Sequence, residues 1–130
     1  MKKMSETITR TNDLKILLQT KLKTLTTNVY HKRADTNALY PHIVFSFRTI
    51  DLGDLSRKDY ILEIDLWDKT DDTTAIDTLA DKVEDLLQGE NLPQTNILPT
   101  FYLIDRKSID DPDKDIQHCL IRFQIQNYVR

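Results

Sequence analysis

The feature that most narrows the possible folds is a change of period between residues 59 and 87. Residues 59–68 alternate, with Tyr60, Leu62, Ile64 and Leu66 on one side and Glu63 and Asp65 on the other. That is the pattern of a strand with one face buried. Beyond residue 74 the apolar positions Ala75, Ile76, Leu79, Ala80, Val83, Leu86 and Leu87 recur at three- and four-residue steps and form the stripe of an amphipathic helix. Asp71, Asp72, Thr73 and Thr74 offer capping oxygens ahead of it, and Gly89 stands where a left-handed stop is expected. A strand and a helix with one apolar face each must bury those faces together, which makes the chain α+β.

The flanking segments extend this unit. Leu14, Leu17, Leu18, Leu22 and Leu25 mark a first helix, with Asn12 as its N-cap and Lys15, Lys21 and Lys23 on its polar side. Residues 1–11 lack periodicity and are expected to be an arm, loose or ordered only by a partner; residues 12–130 are expected to form a single domain. The length of 130 residues suits one core, since domains typically hold about 100–150 residues. Residues 26–40 read as irregular. Pro41 then forces an extended start into a strand over 42–48, with Ile43, Phe45 and Phe47 on one face. A Pro-punctuated loop over 88–99 leads to a strand near 100–107, carrying Phe101 and Leu103. After a turn at Asp110, Asp111, Pro112 and Asp113, a last strand over 117–129 aligns Cys119, Ile121, Phe123, Ile125 and Val129. The order is helix-hairpin-helix-hairpin (α-β-β-α-β-β), an antiparallel or mixed sheet packed by helices. The faces Tyr60/Leu62/Ile64/Leu66, Ile121/Phe123/Ile125 and Ile76/Leu79/Val83/Leu86 should share one core.

Chemistry is sparse along this framework. The single cysteine, Cys119, falls on an apolar strand face, so a buried unreactive thiol is expected and an intrachain disulfide is impossible. Asp111, Asp113 and Asp115 open like a calcium loop, but Ile116 stands where Gly is required and Arg122 where Glu should close it. The bland reading, an acidic turn, is preferred. Glu63 and Asp65 could form a carboxylate pair, yet no nucleophile or base is tied to them by a motif, and an exposed sheet face explains them as well. With only Gly53 and Gly89, no glycine-built phosphate cradle can form. No enzyme activity, cofactor or metal is expected, and no stretch approaches the roughly 18 apolar residues of a membrane span.

Charge is unevenly placed. Residues 1–40 carry eight Lys/Arg against three Asp/Glu, and residues 51–115 carry seven against eighteen. The cluster His31, Lys32, Arg33 beside Tyr30 could begin a nucleic-acid patch, but the net charge of −3 and the acidic second helix argue against specific binding. Trp67, at a strand end, reads as a core or interface anchor. The connection over 49–58 exceeds the roughly two to five residues common in hairpins, which makes it a candidate contact loop. The residues expected to meet partners are therefore Asp51, Leu52, Gly53, Asp54, Leu55, Arg57, Lys58, Trp67, Asn91, Leu92 and Pro93.

Read together, the strand Asp59 to Asp68, its short link and the helix from Ala75 to Val83 resemble the tail completion, or tail terminator, proteins of long-tailed bacteriophages. The upstream segment Tyr40 to Phe45 and the closing segment Arg122 to Tyr128 support the likeness, which spans residues 14–130. The resemblance implies an α+β fold that assembles as a homo-oligomeric ring, commonly of six copies, at the head-proximal end of the tail tube. Such a ring ends tube growth and joins tail to head. Implied partners are the chain itself, the tail tube protein and the head-tail connector protein, with DNA passing through the ring unread and no membrane involved. The implied location is the virion tail or neck, after assembly in the host cytoplasm. Another neck or head-closure protein would look similar. A stand-alone ligand-binding α/β domain, with a pocket between Trp67 and the loop 91–99, is the reading from a different class.

Overall fold

The computed structural model describes residues 4–50, 57–89 and 97–129. The chain runs α1 (Met4–Leu22), β1 (Val29–His31), β2 (His42–Ile50), β3 (Arg57–Lys69), α2 (Thr74–Leu87), β4 (Ile97–Ile109) and β5 (Ile116–Val129). The five strands form one sheet in the order β1-β2-β3-β5-β4. β2 pairs with β3, β3 with β5 and β5 with β4, all antiparallel, while β1 joins β2 in parallel. The sheet is mixed.

β3 and β4 run in the same direction with β5 between them, so α2 carries the chain from the centre of the sheet to its edge. Leu14, Leu17, Leu18 and Leu22 of α1 and Ile76, Leu79, Ala80, Val83 and Leu87 of α2 join one core with one face of the sheet. That face presents Ile43 and Phe45 of β2, Tyr60 to Leu66 of β3 and Cys119 to Ile125 of β5, with Leu86 packed partly buried against it. The three apolar faces expected from the sequence do meet. Both helices therefore lie on the same side, and among the described residues no helix covers the outer face.

Five details depart from the sequence reading. The connection expected over 49–58 is shorter, since Thr49 and Ile50 extend β2 and Arg57 and Lys58 begin β3. α1 begins at Met4 rather than Asn12, so Asn12 is an interior helical residue and residues 4–11 continue the helix. Nothing in that stretch is Gly or Pro, the two residues that stop helix growth most strongly. β1 was not expected, being three residues inside an irregular segment. Its registry with Ile43, Val44 and Phe45, together with the Gln19 Nε2 hydrogen bond to the Val29 carbonyl (2.9 Å), holds it. β4 starts at Ile97 rather than Thr100, and it includes Pro99, which an edge strand tolerates.

The last departure is a register shift between Leu103 and Asp105. A bulge of this kind inserts one residue and reverses the in/out alternation beyond it. Phe101 and Leu103 therefore face the helices, Ile104 is exposed, and Arg106 faces the helices again. There Arg106 Nη1 lies 2.7 Å from Asp81 Oδ1 and 2.6 Å from Glu84 Oε2, with Asp77 3.7 Å from Nη2. The acidic face of α2 is thus partly neutralised by its own sheet. The end of α2 is fixed to the same strand. Gly89 adopts φ +69°, as a helix stop requires, and donates to the Phe101 carbonyl at 2.8 Å.

Candidate interaction surface

The outer face of the sheet is built from the positions that alternate with the core. In register across it stand His42, Trp67 and His118, then Val44, Asp65 and Leu120, then Ser46, Glu63 and Arg122. Trp67 stacks on His118 with ring centroids 3.7 Å apart and 13° between planes. Asp65 Oδ1 lies 2.6 Å from His118 Nε2, so carboxylate, imidazole and indole form one ordered group. His42 lies on the far side of Trp67 at 6.3 Å, and Tyr40 packs against His42 at 5.0 Å. Burial lowers the His42 pKa and keeps its ring neutral at physiological pH.

The segment that returns from β1 to β2 passes over this end of the outer face. Between it and the sheet lies an open hollow of about 500 Å³, lined by Lys32, Arg33 and Asp35 from the segment and by Tyr40, Trp67 and Asp65 below. Lys32 adopts φ +71°, a left-handed conformation unusual for a residue with a side chain, and its N–H donates to the Phe45 carbonyl at 2.9 Å. That bond turns the chain away from β2 and sets both cations at the rim.

The rest of the outer face is closed by paired charge. Arg122 makes two hydrogen bonds to Asp105, at 2.8 and 2.5 Å, across β4 and β5. Arg57 does the same with the buried Asp59, both at 2.7 Å, and lies 5.8 Å from the Tyr128 ring centroid. The guanidiniums hold both carboxyls below the ordinary carboxylate value. Glu63 and Asp65 do not act as a pair: Asp65 is engaged by His118, while Glu63 stands opposite Arg122.

Of the residues expected to meet partners, Asp51, Leu52, Gly53, Asp54, Leu55, Asn91, Leu92 and Pro93 lie outside the described residues. Arg57 and Lys58 begin β3 and Trp67 lies near its end, about 30 Å away at roughly 3.3 Å per residue. The structure does not bring them together. What it adds to Trp67 is His118, through strand register, and Tyr40, Lys32 and Arg33, through the returning segment, a grouping that no local spacing encodes.

Cys119 is 3% exposed in the core, and burial pushes its thiol pKa up. At the β4–β5 turn, Asp111 Oδ1 accepts the Asp113 N–H and Asp113 Oδ1 accepts the Asp115 N–H, each at 2.9 Å, which is turn-forming chemistry. Among the described residues no group of three or more His, Cys, Asp or Glu could hold a metal, and no helix is long and apolar enough to cross a membrane.

Fold and face together define a two-layer α+β scaffold, helices on one side and stacked rings and paired charges on the other. The chain belongs to the family of tail completion protein gp17, whose model matches residues 14–126. It is a structural tail protein of the bacteriophage kind. Its fold is similar to that of a chain in the solved structure titled "Virion of native gene transfer agent (GTA) particle", with a TM-score of 0.66 and 13% identity over 82% of this chain and 84% of that one. A comparison with curated proteins found no match.

Proposed function

We propose that this protein closes the head-proximal end of a phage tail tube as a ring of its own copies, ending tube growth and joining the tail to the head connector, without enzymatic activity. The observation that carries this reading is the family match over residues 14–126, which takes in the buried part of α1, all of α2 and the whole sheet up to Gln126. Completing a tail requires a protein that binds the last ring of tube subunits and leaves nothing for the next ring to bind.

The architecture suits that task. β1 and β4 are both edge strands, and an edge is most safely covered by another copy or another protein. Head-to-tail contacts between unlike edges close into a ring when the rotation between copies divides a full turn. The connection holding residues 51–55 and the loop holding residues 91–93 are the segments we assign to tube and connector, and DNA would pass through the ring without being read. Assembly would take place in the host cytoplasm and leave the protein in the virion neck. The test is to polymerise tail tube protein with increasing amounts of this protein. Mean tube length should fall as it is added; lengths that do not respond would overturn the reading.

A further inference from the structure

We propose that the hollow beneath Lys32 and Arg33 receives the acidic β4–β5 turn of a second copy, so that each junction between copies seats Asp110 to Asp115 of one chain against Lys32, Arg33, Tyr40 and Trp67 of the next. The proposal rests on the ring reading above and names the surfaces that make the ring.

Among the described residues, Lys32 and Arg33 are in none of the ion pairs, although both are exposed at the rim. Asp110, Asp111, Asp113 and Asp115, whose turn also holds Lys114, are likewise in none of these ion pairs. Elsewhere Arg57, Arg106, His118 and Arg122 are each matched with a carboxylate on a neighbouring position. The rim and the turn therefore carry opposite charge that no ion pair within the chain takes up, among the described residues. Asp35 also lines the hollow, while Asp65 is engaged by His118.

The hollow lies where β2 begins and β3 ends, on the β1 side of the sheet. The acidic turn lies at the same end of the sheet, beyond the pairing of Lys69 with Ile116, on the β4 side. Five strands at about 4.8 Å spacing put the two edges roughly 19 Å apart. A neighbour set beside the sheet, edge to edge and with its ends kept in the same sense, brings its turn to the hollow without either chain unfolding.

The turn is set before contact by the Asp111 and Asp113 side-chain bonds, by Ile116 N–H to the Asp113 carbonyl (3.1 Å), and by Thr70 N–H to the Asp115 carbonyl (2.7 Å). Ordering in advance lowers the entropy cost of docking. Its tip, Asp-Pro-Asp, offers an apolar ring between two carboxylates. The hollow is lined by the Tyr40 and Trp67 rings together with the Lys32 and Arg33 cations, and its 500 Å³ falls in the roughly 300–1,000 Å³ range of ligand pockets.

The test exchanges charge. Lys32→Glu with Arg33→Glu makes one variant, and Asp110→Lys with Asp113→Lys makes the other; circular dichroism checks that each is folded. Sedimentation velocity at rising concentration should show the wild type associating, each variant associating at least tenfold more weakly, and association restored when the two variants are mixed or when all four changes sit in one chain. Trp67 fluorescence, the only tryptophan signal, should change with association in the wild type and in the mixture. Variants that associate like the wild type would overturn the hollow-and-turn contact while leaving a ring intact. A mixture that stays dissociated would also overturn it. A wild type that is monomeric at every concentration would overturn the contact as a free-solution interaction and leave the tube-length test to judge the ring.

Discussion

The Trp67 indole lies flat on the His118 imidazole, 3.7 Å between centroids, while the Nε2 edge of the same imidazole is held by Asp65 at 2.6 Å. Replacing His118 with Ala uncovers the indole and releases the carboxylate. The emission maximum of the lone tryptophan should move to longer wavelength, and stability should fall by about 1 kcal/mol, the scale of an aromatic pair. His118→Phe should restore the emission. An unchanged spectrum in His118→Ala would mean the stack does not exist in solution.

Leu79 sits in α2 at 8% exposure, inside the core shared with β3 and β5. Leu79→Ala should cost about 2–5 kcal/mol in chemical denaturation, through lost burial and the cavity left behind. A cost under about 0.5 kcal/mol would mean α2 is not packed on the sheet.

Arg106 ties the edge strand to α2 through Asp81 and Glu84. Because the guanidinium is partly exposed, its pairs with Asp81 and Glu84 should be worth roughly 1 kcal/mol together at low salt and less at high salt. A double-mutant cycle of Arg106→Met with Glu84→Gln measures the coupling. A coupling that did not fall with added salt would contradict the electrostatic account.

Acid should lower stability over two separate pH ranges. Burial lowers the pKa of His31, with Lys15 and Lys32 adding repulsion, and burial likewise lowers His42 from the ordinary 6.5. The unfolded chain then binds more protons than the folded one, so stability is full above pH 6.5 and falls as the pH drops through that value. The Arg57 guanidinium lowers Asp59, and Arg122 lowers Asp105, from the ordinary 3.8. Their contribution is present above 3.8 and is lost as the pH falls through the depressed values. Denaturation midpoints against pH should show both losses, and Asp59→Asn should flatten the lower one. A midpoint unchanged between pH 7 and pH 5 would contradict the histidine assignment.

Much of the fold could be read from periodicity, because burial on one side writes a period of two or of three to four into the chain. Tyr60 to Leu66 and Ile76 to Leu87 carry that signal over enough residues to be unambiguous. β1 does not: three residues cannot establish a period, and its pairing with β2 depends on a hydrogen-bond register. The bulge at Ile104 was invisible for a related reason, since an inserted residue looks like ordinary sequence until the partner strand is present. The start of α1 is not legible in the sequence because residues 4–11 lack a stripe. Trp67 was legible as an anchor by its size and place. Its group with His118, Lys32 and Arg33 was not, since those residues are brought to it by strands and a returning segment far apart in sequence.

The most direct test of the central claim is to incubate purified protein with finished tail tubes, add fresh tube subunits and image the ends. The account predicts a cap of several copies on one end of each tube and no further growth from that end. Tubes that stay bare at both ends and keep lengthening would contradict it.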